Sequence, residues 1–188
     1  MKTLPYARII KQWLPIAFLS ACLCGLVYIS AQQNLRQSAN DPQIQIATDV
    51  ASALEAGVSP STIIPSGSQP IDMTKTLDSY VLIFDDAGTL VAGNASLNGK
   101  PPAPPHGVFD YARNTGEDRI TWAPAPGVRS AIIVERVTMN GANVGFVVVG
   151  RSLKEVEMRE SELTNETGAI FLLTLIGTFI LTAIAALW

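Results

Sequence analysis

The chain has 188 residues, of which 48% are hydrophobic and only 15% charged, where a soluble domain carries about 25% charge. Mean hydropathy is +0.28 and the isoelectric point is near 5.1. This excludes a disordered chain, fits a wholly soluble one poorly, and argues against nucleic-acid binding, which needs a basic face.

The charge is unevenly placed. All sixteen acids lie between Asp41 and Glu166; with the ten basic residues from Arg36 to Arg159 they give the stretch 36–166 a net charge of −6. Lys2, Arg8 and Lys11 precede that region. Both cysteines, Cys22 and Cys24, fall in the first apolar run. The middle is therefore neither a disulfide scaffold nor a thiolate metal site.

In chain order, residues 1–12 read as a basic N-terminal tip and 13–31 as a transmembrane helix. No charge occurs between Lys11 and Arg36, and the run Trp13–Ala31 is long enough to cross a bilayer, which takes about 20 apolar residues. The basic tip places the N-terminus in the cytoplasm. Trp13 and Trp188 then fall at the inner interface and Tyr28 near the outer one. Two processed forms compete with an intact span. Leu19-Ser20-Ala21-Cys22 matches a lipoprotein cleavage box, and Ala31 offers a signal-peptide end. Against them, the apolar run continues past Cys22, and Ile29 is a poor residue at the third place before the cut. Ala17, Ala21 and Gly25 recur every fourth residue, a spacing that lets helix backbones approach closely.

Residues 32–166 read as one exported domain. Gln32 to Ala56 reads as helix with a break near Pro42. Asn40 or Asp41 caps its second part, and Ile46, Val50, Ala53 and Leu54 share one face. Val58 to Met73 reads as loop. Ser79–Phe84 and Thr89–Ala92 form a hairpin around Asp85-Asp86-Ala87-Gly88. Asn98 to Pro105 is a proline-rich loop, and Gly107–Asn114 a short helix stopped by Gly116. Arg119–Trp122, Arg129–Val137 and Val144–Val149 read as strands, with a tight turn at Asn140-Gly141. Ser152-Leu-Lys-Glu155 is a capping box opening the next helix. Leu153, Val156 and Leu163 are spaced to pack inward or against a second copy, which leaves a homodimer open. Thr167–Trp188 is a second uncharged run and a second transmembrane helix, with Thr174, Thr178 and Thr182 forming a polar stripe. The expected fold is α+β, with a five-stranded antiparallel sheet and a long N-terminal helix between two spans.

The hairpin Tyr80-Val-Leu-Ile-Phe-Asp-Asp-Ala-Gly-Thr-Leu-Val91 resembles the central hairpin of PAS-like extracytoplasmic sensor domains of the Cache type. Ile120-Thr-Trp-Ala-Pro and Gly145-Phe-Val-Val-Val-Gly-Arg-Ser-Leu-Lys-Glu-Val156 are similar to the sensory region of bacterial histidine kinases. The resemblance spans roughly residues 12–188 and implies a bacterial inner-membrane sensor with both termini cytoplasmic. Such receptors continue into a cytoplasmic output domain, and this chain ends at Trp188. The resemblance therefore implies output through a partner, a histidine kinase or another membrane-complex subunit. The alternative is a structural or accessory subunit whose domain holds no ligand.

Enzymatic motifs are not found. His106 has no nucleophile beside it in the sequence, and no serine sits in a nucleophile-elbow pattern. No phosphate loop or metal-ligand spacing occurs, and no cofactor is expected. Asp85 and Asp86 read as turn residues. Asn94-Ala-Ser96 and Asn165-Glu-Thr167 match glycosylation sequons, which arise often by chance. The binding candidates are Tyr111, Arg113, Arg119, Trp122 and Arg129. Arginine grips carboxylates through two bonds and aromatic rings supply an apolar wall, which points to a small anionic ligand. The competing reading puts Trp122 in the core and pairs the arginines with Asp110, Glu117, Asp118 and Glu135.

Overall fold

A computed structural model describes residues 6–38 and 41–187. Lys2, Asn40 and Trp188, to which the sequence assigns a basic tip, a cap and an interface anchor, lie outside the described residues. In chain order the elements are α1 (Tyr6–Ser38), α2 (Asp41–Glu55), α3 (Pro60–Ile63), β1 (Ile71–Asp72), β2 (Tyr80–Asp85), β3 (Leu90–Gly93), β4 (Ala95–Ser96), α4 (His106–Thr115), β5 (Glu117–Ala125), β6 (Val128–Met139), β7 (Ala142–Ser152) and α5 (Lys154–Leu187). They divide into two compact units, Met1–Arg36 with Glu157–Trp188, and Gln37–Val156.

The first unit holds the two apolar helices. α1 and α5 are each long and apolar enough to cross a membrane. Trp13 links them: its indole N–H donates to the Leu175 carbonyl at 3.3 Å and to Thr178 Oγ1 at 3.1 Å. Its ring meets Phe179 edge-on, with centroids 5.6 Å apart. The Tyr28 and Thr164 hydroxyls are 3.1 Å apart, within hydrogen-bond reach.

The second unit is an α+β domain. Its main sheet has five antiparallel strands in the order β3-β2-β7-β6-β5. β7 is therefore central. Its Phe146, Val147, Val148 and Val149 are all fully buried, because the sheet is covered on both faces. Alternation sorts the strands into two cores. Tyr80, Leu82, Phe84, Trp122, Ile132, Val134, Phe146 and Val148 pack with Val108, Phe109 and Ala112 of α4. Ile83, Ile133, Val137, Val147 and Val149 pack with Ala47, Ala51 and Leu54 of α2. The strand directions place the β6–β7 turn at the end of the domain opposite its two termini. That turn, Asn140-Gly141, has positive φ at both residues (53° and 79°), the geometry that a two-residue hairpin demands.

Several expectations shift. The face that α2 buries is Gln43, Ala47, Ala51 and Leu54, with Ile46, Val50 and Ala53 only half-buried beside it. Alanines let the helix lie close to the sheet, so the larger side chains flank the contact instead of filling it. The segment read as loop contains α3 and also β1, which pairs in parallel with β4 in a small second sheet. Two-residue strands carry no periodicity to read. The three C-terminal strands run longer than their apolar cores because polar residues extend the ladder: β6 has 12 residues and β7 has 11. At the expected capping box, Ser152 Oγ accepts the Lys154 N–H at 3.3 Å. The Glu155 carboxylate takes the Arg151 guanidinium at 2.8 Å.

Candidate functional site

The cavity of greatest interest lies beside the end of β5, where the proline-rich loop after β4 folds over the sheet. A turn starts that loop: Asn98 and Gly99 have positive φ and bring Leu97 and Lys100 into a β-bridge. Prolines 101, 102, 104 and 105 then hold the chain extended. The cavity measures about 760 Å³, and its walls include Asn98, Lys100, Pro102, Pro105, Trp122 and Pro124. Trp122 is 8% exposed and belongs to the α4-side core, so it serves as a floor. Among the described residues, Lys100 is the one charged side chain in the walls.

Trp122 is thus the one sequence candidate that lines this cavity. The other four are elsewhere. Arg113, on α4, turns toward the β2–β3 turn. Its Nη2 donates to the Asp86 carbonyl at 2.7 Å and to Asp86 Oδ1 at 3.2 Å, and its Nη1 to Asp110 Oδ1 at 2.9 Å. The guanidinium lies over the Phe146 ring, 5.2 Å from its centroid. Arg119 pairs with Glu117 at 2.7 Å. Arg119 and Arg129 alternate with the Trp122 face, so they point to the α2 side of the sheet. Tyr111 is exposed on α4. The five do not converge, and the forks of Arg113 and Arg119 already hold this chain's own carboxylates. Three phenylalanines pack together on the α4 side: Phe109 has its centroid 4.9 Å from Phe84 and 5.1 Å from Phe146.

The sequence marks Asp86 as a turn residue. In the fold Asp86 joins three elements, accepting from Arg113 and from Asn143 Nδ2 of β7. No spacing marks that junction, because residues 86, 113 and 143 meet only through the sheet order. The sequence places Tyr80 in the first strand of the hairpin without marking it further. Its ring is 1% exposed and its hydroxyl has no hydrogen-bond partner among the described residues. Burial pushes its pKa up to about 12; the Ser130 hydroxyl acts in the opposite sense but falls short of hydrogen-bond geometry. Asn94 of the first sequon is engaged by its own fold, its Oδ1 accepting the Val81 N–H at 2.7 Å.

In the helical unit, Thr174, Thr178 and Thr182 all bond back to carbonyls four residues earlier, and Thr178 also accepts from Trp13. A methyl added at Gly25 would meet nothing within 4 Å. The Ala17, Ala21 and Gly25 stripe is therefore not a close backbone contact at Gly25. Ala21 and Gly25 border a groove of about 310 Å³ with Thr164 and Gly168. Among the described residues no cluster of His, Cys, Asp and Glu is arranged to hold a metal.

No protein-family model matches this chain, and a search of curated proteins finds no match.

Proposed function

We propose that this chain is a two-span bacterial membrane protein whose exported, PAS-like domain binds a small ligand and passes a signal to a separate membrane partner, without catalysis of its own. One observation carries the reading. The central strand of the sheet runs directly into α5, the helix that carries the second apolar run. Any strain that a ligand imposes on the sheet then bears on that helix. A ligand shifts such an equilibrium only by its differential affinity for the two states. The cavity beside Trp122 is the binding site in this reading, and Lys100 favours an anion there.

The accessory-subunit reading has its own support in the tightly filled aromatic core between α4 and the sheet. Thermal unfolding of the purified full chain separates the two. The probes are a panel of organic acids and amino acids, with Lys100→Ala as control. A ligand at about 100 times its dissociation constant adds about 2.7 kcal/mol of stability. A shift that disappears in Lys100→Ala supports the sensor. No shift across the panel, with a stoichiometric partner retained in mild detergent, supports the accessory subunit. Reporter fusions at each terminus test the two-span topology, and an external C-terminus would overturn it.

A further inference from the structure

The α2 side of the sheet carries an acidic seam. Glu135 on β6 stands directly opposite Glu117 on β5. Like charges directly opposed in an antiparallel pair destabilise it. Thr48 of α2 donates its hydroxyl to Glu135 Oε2 at 3.3 Å. Glu55, about two turns further along α2, accepts the Thr138 N–H and hydroxyl, both at 2.9 Å. Arg119 on β5 is the cation facing this group, and Glu117 already holds it. On the β7 side the register partner is apolar Val147. Glu135 is half-buried between these elements.

We propose that this seam is an acid-responsive clamp, in which a proton on Glu135 tightens the docking of α2 against the sheet and its loss loosens it. The protonated carboxyl gains an O–H that can be donated to Thr48, and the repulsion from Glu117 and Glu55 falls away. Burial raises the Glu135 pKa, the Thr48 hydrogen bond opposes that rise, and Glu117 and Glu55 add to it, with Arg119 acting against them. The direction fixes the sign. The docked state has the higher pKa, so its gain is complete below the ordinary glutamate range and is lost as pH rises through the raised value. α2 follows α1 in the chain. The clamp operates whether or not the domain binds a ligand.

Hydrogen exchange on the full chain in detergent micelles tests this, with rates corrected for intrinsic pH dependence and α2 amides compared with those of β7. In the native protein, α2 protection should rise on acidification by at most about tenfold per pH unit, with β7 unchanged. Glu135→Gln should hold α2 at the acid level at every pH. Glu117→Gln, at an exposed position, should move the midpoint to lower pH by removing the opposed charge. The same pH dependence in Glu135→Gln as in the native chain overturns the clamp. If Glu135→Gln does not fold, an unmoved midpoint in Glu117→Gln overturns it.

Discussion

Gly150 and Tyr80 form a steric pair at the centre of the sheet, and its strength can be measured. Gly150 lies between its register partners Tyr80 on β2 and Ile132 on β6. A methyl built on Gly150 would fall within the far end of the Tyr80 ring, at Cε2, Cζ and Oη. The ring has no route out, because Tyr80 is 1% exposed. Overpacking a core costs about 1–3 kcal/mol, and three conflicting ring atoms place Gly150→Ala at the upper end, about 3 kcal/mol. Tyr80→Leu ends short of the three conflicting atoms and should cost about 2 kcal/mol alone, chiefly as lost packing. In that background Gly150→Ala should cost nothing, or gain about 0.5–1 kcal/mol from reduced backbone entropy of the unfolded chain. The expected coupling is thus about 3 kcal/mol. The assay is urea unfolding of the full chain in micelles, followed by Trp122 fluorescence, with the other two tryptophans replaced by phenylalanine. Strictly additive costs, or a Gly150→Ala variant within about 0.5 kcal/mol of the parent, would refute the steric argument.

Other outcomes follow from single contacts. Tyr80→Phe removes a buried hydroxyl that has no partner among the described residues, so the same unfolding assay should show no loss, and a gain of up to about 1 kcal/mol; a loss above that size would mean the hydroxyl is bonded. Asp72 accepts the Thr74 hydroxyl at 2.7 Å and the Thr74 N–H at 3.0 Å and pairs with Lys75, which together hold its pKa down to about 2. Its contribution is therefore present above the ordinary aspartate range and lost as pH falls through about 2, and NMR titration of Thr74→Ala should move the midpoint up toward 3.8. In the helical unit, Trp13→Phe should weaken helix association by about 0.6 kcal/mol in a denaturing-detergent titration, while Gly25→Ala should leave it unchanged. A larger effect at Gly25 would restore the small-residue face as the contact.

The order of the five main-sheet strands was legible because they carry apolar runs and their turns carry their own chemistry, whereas α3 and the two-residue strands β1 and β4 were not. Asn140-Gly141 and Asp85 to Gly88 announce hairpins from four residues or fewer. The two apolar helices declare themselves by length alone. The face of α2 was less legible, since the side chains nearest the sheet are alanines and Gln43, and an amphipathic reading favours the largest apolar residues. The candidate site was least legible. Trp122 and the arginines are close in sequence, but strand alternation sends Arg119 and Arg129 to one face and Trp122 to the other. Spacing in sequence carried no information about which carboxylate each arginine would meet. The Asp86 junction and the Glu117–Glu135 opposition depend on strand register, which pairs residues far apart in the chain.

The same register explains why the exit from β7 is held so firmly. Arg151 donates from Nε to the Leu77 carbonyl at 3.2 Å, just ahead of β2, and from Nη2 to Glu155 at 2.8 Å, in the first turn of α5. One residue beyond the strand, the Leu153 N–H donates to the Arg129 carbonyl of β6 at 2.8 Å. The start of α5 is therefore tied to the segment leading into β2 and to β6, the two neighbours of the strand from which it emerges. A helix hung from one edge strand would respond only to that edge. In the proposed sensor, a start of α5 fixed to three segments at the centre of the sheet would take up displacement from either face, from a ligand beside Trp122 or from the docking of α2. That geometry gives a reason for a central strand, rather than an edge strand, to lead into the second apolar helix.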